Sequence, residues 1–184
     1  MKDNKMKKLL IAAIAVVSAA CVHAAAFQWS STGTIYAKGS DTVALSGFTA
    51  YLFDSSAVGQ SELLEGIRGG KSITDYTALS SFSGSTKVDT TAFTADLSNG
   101  TMLNTFFAIV VDDDMYISKV AGKAAQSVGT ASIAFGNQAT ASKSVFGDAA
   151  FASPGWYTTA VPEPTSGLLM LLGLAGLALK RKRA

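Results

Sequence analysis

Residues 91–120 read TAFTADLSNGTMLNTFFAIVVDDDMYISKV and contain the clearest indications of how the chain folds. Apolar and polar side chains alternate from Phe93 to Leu97, which is the pattern of a strand with one buried face. Asn99-Gly100 follows directly, and this dipeptide favours a two-residue hairpin turn. The next residues, Thr101–Val111, end in a continuous apolar run that is typical of a central strand. The stretch therefore predicts a β-hairpin.

An acidic turn and a third strand extend this hairpin. Asp112, Asp113 and Asp114 turn the chain, and Met115–Val120 returns beside the second strand. Further aromatic or β-branched runs predict four more short strands, and a glycine-containing turn follows the first of them. These runs are Thr34–Lys38, Phe48–Phe53, Thr130–Phe135 and Trp156–Ala160, with the turn at Gly39-Ser40-Asp41.

One short helix is predicted between the strands. Its apolar stripe consists of Leu63, Leu64 and Ile67, which share one face at helical spacing. Ser61 is a suitable N-terminal cap, and Gly69-Gly70 ends the helix. The helix is only about two turns long, so it needs tertiary packing to persist.

These elements predict a mainly β fold, a single antiparallel β-sandwich or jelly-roll-like domain over residues 25–160 with one short helix. The aromatic residues of the strands are expected to fill its core rather than to form a platform for carbohydrate. They are Phe48, Tyr51, Phe53, Phe106, Phe107 and Trp156. Without a pair of cysteines, the domain must derive its stability from the burial of such side chains.

The basic residues of the chain are concentrated at its two ends. Lysine and arginine number 15 in total, against 13 aspartates and glutamates. Residues 25–160, however, hold seven basic and eleven acidic side chains, a formal charge of −4. A domain that binds nucleic acid needs a basic surface. The charge distribution therefore excludes nucleic acid as a partner of this domain.

Cys21 and His23 are the single cysteine and the single histidine, and both lie near the end of the predicted export signal. A mature chain without them lacks the groups for Ser-His-Asp and Cys-His catalysis and for the usual zinc sites. Cys21 also allows lipidation as an alternative to simple cleavage. Ser18, however, stands where a lipobox has an aliphatic residue.

The first 24 residues have the three parts of a secretory signal peptide. Met1–Lys8 is cationic, and Leu9–Ala20 is apolar but too short to span a bilayer. Small residues follow, and two cleavage positions fit, one between residues 24 and 25 and one between 26 and 27. The sequence therefore predicts export through the Sec translocon and cleavage by signal peptidase.

Residues 161–184 form a second segment with the features of a signal. Pro162-Glu163-Pro164 is stiff and extended, because each proline fixes its own φ and disfavours helix in the residue before it. Thr165–Leu179 has no charge and predicts a transmembrane helix roughly 22 Å long, shorter than a hydrocarbon core of about 30 Å. The basic cluster that follows is expected to stop translocation and stay cytoplasmic. It comprises Lys180, Arg181, Lys182 and Arg183.

The order of these parts at the end of the chain resembles the PEP-CTERM sorting signal. The resemblance implies processing near Pro162–Pro164 by an exosortase, a membrane-embedded transpeptidase-like enzyme. It also implies a transient inner-membrane intermediate with a cytoplasmic C-terminus, and then a place at the cell surface or outside the cell. Proteins with this signal are commonly tied to exopolysaccharide or the biofilm matrix. The alternative interpretation is a plain C-terminal tail anchor.

Carboxylates are the remaining candidates for chemistry. Asp112-Asp113-Asp114 is a candidate calcium site, since this ion prefers oxygen ligands, but alternation along the chain favours an exposed turn instead. Paired carboxylates could also hydrolyse glycosides. The available ones are Asp41, Asp54, Glu62, Glu65, Asp75, Asp89 and Asp96. Nothing in the sequence selects a pair, so no enzymatic activity and no cofactor are expected.

The sequence thus predicts an exported protein with a structural or adhesive role at the surface or in the extracellular matrix. The first alternative is a carbohydrate-binding module, because the domain is rich in β-structure and aromatic residues. The second is a glycoside hydrolase that uses two carboxylates.

Overall fold

The structure is a computed structural model that describes residues 23–97, 102–124, 129–136 and 154–160. Within these ranges the chain forms nine strands, one α-helix and one 3-10 turn at Ile73–Asp75. The elements are β1 (His23–Ser31), β2 (Phe48–Asp54), α1 (Gln60–Arg68), β3 (Ser80–Gly84), β4 (Thr91–Leu97), β5 (Met102–Val111), β6 (Asp114–Ile117), β7 (Ala121–Ala124), β8 (Thr130–Phe135) and β9 (Gly155–Thr158).

These strands form two sheets. The small sheet has the order β4-β1-β8, in which β1 runs antiparallel to β4 and parallel to β8. The large sheet has the order β3-β2-β5-β6-β9, and all of its pairs are antiparallel. The strand β7 also belongs to the large sheet, because it pairs with the first part of β5. The parallel pair of β1 and β8 departs from the all-antiparallel arrangement that the sequence predicts.

The predicted hairpin between the strands around Asn99-Gly100 is wrong. Both strands exist, but β4 lies in the small sheet and β5 lies in the large one. Their burial patterns explain the separation. The exposed and covered residues of β4 alternate, whereas β5 is buried from Thr105 to Ile109 without interruption. A strand covered on both faces belongs at the centre of a layered domain. Residues 98–101, which include the Asn-Gly pair, lie outside the described residues.

The two sheets contribute side chains to one hydrophobic cluster, which we call the shared core. It contains Trp29 of β1 and Phe135 of β8 together with Phe107 of β5. The ring centroid of Phe107 lies 5.7 Å from that of Trp29 and 4.9 Å from that of Phe135. Aromatic rings at such distances attract each other in addition to the area they bury. The shared core therefore joins the two sheets.

The opposite face of the large sheet is covered by α1. Leu63 and Leu64 of the helix pack with Phe53 and Phe106 in a second cluster, the helix-side core. The helix ends after Arg68, where Gly70 has the positive φ of 89° that a glycine adopts without strain.

The predicted N-terminal cap of the helix is wrong, because the cap is Gly59 rather than Ser61. Gly59 has an extended backbone, and its N–H donates to the Glu62 carboxylate at 3.4 Å. This carboxylate satisfies one of the amides that a helix leaves free at its N-terminus. The helix can therefore begin two residues earlier than a side-chain cap at Ser61 would allow.

The predicted core residues are confirmed as a group. Five of the six aromatic side chains are at most 4% exposed, and Tyr51 is half-buried. The predicted strands at 48–53, 93–97, 130–135 and 156–160 correspond to β2, β4, β8 and β9. The predicted strand Thr34–Lys38 is reduced to one bridge between Tyr36 and Ala44, because the turn at Gly39-Ser40-Asp41 folds the chain back at once.

Three strands were absent from the sequence prediction. The strand β1 overlaps the predicted cleavage positions of the signal peptide, β3 is rich in serine, and β7 is only four residues long. The predicted mainly β domain is nevertheless confirmed. Its finer assignment to a sandwich or a jelly roll stays a prediction.

The pairing along β5 is interrupted at Ser118. This residue lies between β6 and β7, which both pair with β5. The Phe107 N–H donates to Ser118 Oγ at 2.8 Å, and the Ser118 N–H donates to the Phe107 carbonyl at 2.9 Å. The Gln60 side chain of α1 donates to the Ser118 carbonyl at 2.8 Å. The hydroxyl thus takes the place of a backbone acceptor where the strand pairing is interrupted.

Replacement of Ser118 by alanine is expected to lower the free energy of unfolding by about 1–3 kcal/mol, because the buried Phe107 N–H loses its acceptor. Urea unfolding of the exported protein would measure the effect. The control is Ser132→Ala, which removes an exposed hydroxyl and should change stability by less than about 0.5 kcal/mol. Equal stability of the two variants would contradict the assigned role of Ser118.

Candidate functional site

The strand β9 carries the chain out of the described domain. It lies at the edge of the large sheet as far as the described strands extend, and it pairs with β6. Two residues after β9 the described chain ends at Ala160, and one residue, Val161, separates it from the Pro-Glu-Pro sequence. The predicted sorting residues Pro162-Glu163-Pro164, the predicted helix 165–179 and the basic cluster 180–183 all lie outside the described residues.

Two aromatic residues anchor β9 on opposite faces of the sheet. Trp156 is 1% exposed in the shared core, and its indole N–H donates to the Tyr36 carbonyl at 2.9 Å. Its ring lies 5.6 Å from that of Tyr116 in an edge-to-face arrangement. Tyr157 is fully buried in the helix-side core. An edge strand of four residues is thus held by burial on both sides.

The end of β9 is held by a group of hydrogen bonds that we call the exit clamp, formed by Arg68, Asp113 and Thr158–Ala160. The Asp113 carbonyl accepts from the Thr159 N–H at 2.7 Å, from the Ala160 N–H at 3.3 Å and from the Thr158 hydroxyl at 3.3 Å. Arg68 Nε donates to the Thr158 carbonyl at 3.1 Å. The chain is therefore fixed up to Ala160, the last residue before the predicted sorting segment.

The acidic turn belongs to the exit clamp through its backbone. Asp112 has a positive φ of 49°, a conformation that aspartate tolerates better than most residues, and it closes the turn between β5 and β6. The Asp114 carboxylate lies 2.5 Å from Lys38 Nζ. Within the described ranges no group of three or more histidine, cysteine, aspartate or glutamate side chains is placed to hold a metal ion. The calcium site stays a prediction that these contacts do not favour.

Five of the seven other candidate carboxylates make contacts near their own positions in the chain. Asp54 accepts from the Ser56 N–H at 2.9 Å, and Asp75 accepts from the Ser72 N–H at 2.7 Å. The remaining contacts are those of Glu62 with Gly59, Glu65 with Arg68 and Asp89 with Lys87. Such contacts stabilise turns and helix ends. They do not assign any of these carboxylates to a reaction.

The described aromatic side chains form no exposed platform. Each phenylalanine, tryptophan and tyrosine in the described ranges is buried or half-buried. The exposed large hydrophobic side chains in these ranges are those of Val43, Met102 and Val120. Stacking against a sugar ring is favoured by a fully exposed aromatic face, and the described aromatic side chains are at most partly exposed.

Comparison with known proteins identifies the end of the chain. Residues 160–183 match the PEP-CTERM protein-sorting motif, which confirms the predicted resemblance. No curated protein and no solved structure matches the chain. Within the described part of the chain, no helix has the length and apolar character needed to cross a membrane. The motif implies export, sorting to the cell surface and an exosortase as the processing partner.

Replacement of Arg68 by alanine is expected to loosen the exit clamp, because the Thr158 carbonyl then loses its guanidinium donor. Amide hydrogen exchange at Thr159 and Ala160 should accelerate roughly 2- to 10-fold, as expected for loss of one hydrogen bond. The control is Glu65→Gln, which removes the ion pair with Arg68 but leaves the bond to Thr158. Unchanged exchange in the Arg68 variant would contradict the clamp.

A pH dependence follows from Tyr116, beneath Trp156. Burial, and to a lesser extent the nearby Tyr157, raises the pKa of Tyr116 far above its ordinary value. The unfolded chain then releases this proton near pH 10 while the folded chain keeps it, so stability is retained below about pH 10 and falls above it. Tyr116→Phe should reduce the slope of stability against pH between about pH 10 and 11.5 by roughly 1.4 kcal/mol per unit. Urea unfolding at several pH values measures this slope, and identical slopes would exclude the effect.

Proposed function

We propose that this chain is an exosortase-processed structural or adhesive component of the cell surface or extracellular matrix, associated with exopolysaccharide or biofilm. One observation carries the proposal. The described domain is fixed up to Ala160, and the sorting motif begins at that same residue. The folded domain is thus followed directly by the sorting motif, and no described segment lies between them.

The spacing supports processing at the membrane surface. From Ala160 to the start of the apolar segment at Thr165, an extended chain reaches no more than about 17 Å. The headgroup layer alone takes up roughly 5–8 Å of this distance. The exit clamp is therefore held close to the bilayer in the membrane intermediate. The positive-inside rule places residues 180–183 in the cytoplasm and the domain outside.

The structural or adhesive role is supported by how the described domain uses its polar groups. Most of its candidate carboxylates serve turns, helix ends and ion pairs. The outer face of the small sheet carries polar side chains among alanines, and one of them, Gln28, donates to Ser132 at 2.6 Å. Hydroxyl and amide groups on an exposed sheet face can hydrogen-bond to polysaccharide hydroxyls. This face is the surface we assign to matrix contact.

The two alternatives receive less support. A carbohydrate-binding module would present exposed aromatic rings, and each described aromatic side chain is buried or half-buried. A glycoside hydrolase would bring two carboxyl groups to opposite sides of a sugar bond. The contacts of five of the seven candidate carboxylates are explained without such a pair.

Replacement of Pro162-Glu163-Pro164 by three alanines is expected to block exosortase processing. The wild-type protein, isolated from exosortase-containing cells, should lack residues 165–184, and the variant should retain them in the membrane fraction. Intact mass spectrometry of the cell-derived protein provides the measurement. Pro154→Ala is the matched control, since Pro154 is the remaining proline of the chain and lies outside the motif. A wild-type mass that retains residues 165–184 would favour the plain tail anchor.

The matrix role has a separate test. The processed protein should sediment with purified exopolysaccharide from the same cells, and a variant with Gln28→Lys and Ser132→Glu should sediment less. Normal sedimentation of this variant would exclude the outer face of the small sheet as the contact surface. Absence of binding by both proteins to exopolysaccharide and to cell-surface fractions would remove support for the role itself.

A further inference from the structure

The strand β1 contains both of the positions at which the signal peptide could be cut. It spans His23–Ser31, so the bond between residues 24 and 25 and the bond between 26 and 27 both lie within it. It is also the central strand of the small sheet, with β4 on one side and β8 on the other. The choice of cleavage position therefore decides how much of a central strand the mature domain keeps.

Cleavage before Phe27 would remove residues that the domain uses. Ala25 is 5% exposed and belongs to the shared core. Ala26 is paired on both sides, with Thr94 of β4 and with Thr130 of β8. The central strand would be shortened to five residues. It would lose a buried side chain and the first point at which all three strands are in register.

Cleavage before Ala25 removes much less. His23 and Ala24 pair only with β4, at Leu97 and Asp96, because the pairing of β1 with β8 begins at Ala26. Ala24 is exposed. A mature chain that starts at Ala25 therefore keeps every β1 residue that has partners on both sides, and it keeps the buried Ala25.

The positive charge of the new N-terminus also favours cleavage between residues 24 and 25. Hydrolysis of the bond between Ala24 and Ala25 leaves a carboxylate on the released peptide and an ammonium group on Ala25. In the antiparallel pair, Ala25 lies opposite Ala95, and the exposed Asp96 is the next residue of β4, one register position from the new positive charge. In the other frame the ammonium would form at Phe27, between the neutral residues Phe93 and Ala131.

We propose that signal peptidase cuts between Ala24 and Ala25, so that Ala25 is the first residue of the mature protein and the first residue of its central strand. The proposal rests on the predicted signal peptide and on the register of β1. It does not depend on the proposed matrix role. Its test concerns the N-terminus, whereas exosortase processing is measured at the C-terminus, so each can fail without the other.

Formation of the small sheet also limits when the signal peptide can be cleaved. A protease binds an extended segment with free backbone groups, and β4 occupies the groups on one side of residues 23–29. The partner of Ala25 is Ala95, seventy positions further along the chain. The bond is accessible until β4 has crossed the membrane and paired with β1. Cleavage therefore precedes closure of the small sheet.

The decisive measurement is N-terminal sequencing, together with intact mass, of the full-length protein exported by its own cells. The expected first residue is Ala25. A mature chain that begins at Phe27, a lipidated chain that begins at Cys21, or a chain that retains residues 1–24 would each overturn the proposal.

Two variants distinguish the two cleavage positions by their effect on cleavage, and this readout does not depend on the stability of the mature protein. Ala26→Leu places a large residue directly before the later cut, and it should leave both the rate of cleavage and the N-terminal Ala25 unchanged. Ala26 lines an open pocket at the surface, together with Thr94 and Thr130. Val22→Asp alters the residue three before the earlier cut and should cause the precursor to accumulate at least tenfold. Pulse-chase labelling of total cell protein measures both. Inhibition by Ala26→Leu with normal processing of Val22→Asp would assign the later frame.

Discussion

Phe107 lies where the small sheet faces the large one, and the arrangement of both sheets depends on its contacts. Its ring meets Trp29 of β1, Phe135 of β8 and Tyr116 of β6, at centroid distances of 5.7, 4.9 and 5.6 Å. Its backbone is paired with Ser118 at the break between β6 and β7. Burial of such large side chains is the main favourable term in a domain that has no cross-link.

The two ends of the described chain are both fixed by this packing. The first strand, β1, lies between β4 and β8. It is held there because alternate residues from Ala25 to Trp29 are buried in the shared core. The last strand, β9, is held at an edge by Trp156 and Tyr157, one in each core. The predicted N-terminal cleavage positions and the sorting motif are thus both adjacent to folded structure, and the exit clamp lies at the start of the motif, at Ala160.

The success of the sequence prediction differed between kinds of element. Thr130–Phe135 was predicted with the bounds that the structure shows, because its alternation is regular and its neighbours are turn residues. The pairing of β4 with β5 was wrong, because a local turn signal says nothing about which sheet will cover each strand. The position of the helix was predicted correctly, but its N-terminal cap was not. The Glu62 carboxylate accepts from the N–H of the cap residue Gly59, and the predicted Ser61 side chain is not the cap.

In the candidate site, too, the sequence predicted some features and missed others. The acidic turn was found from sequence, but its link to the end of the chain runs through the Asp113 carbonyl, which every residue possesses and no pattern reveals. Arg68 is the last residue of its helix, and its bond to Thr158 joins residues ninety positions apart.

By itself the sequence determined where the protein is sent, because a sorting signal is a short linear segment and residues 160–183 carry it without help from the fold. It also determined that the domain is mainly β, since alternation and β-branched runs are local properties. Only the tertiary structure decided which strands share a sheet, that β1 lies at the centre of one, and that the chain is clamped at Ala160. Those features depend on contacts between residues far apart in the chain, and such contacts exist only after the two sheets have closed on Phe107.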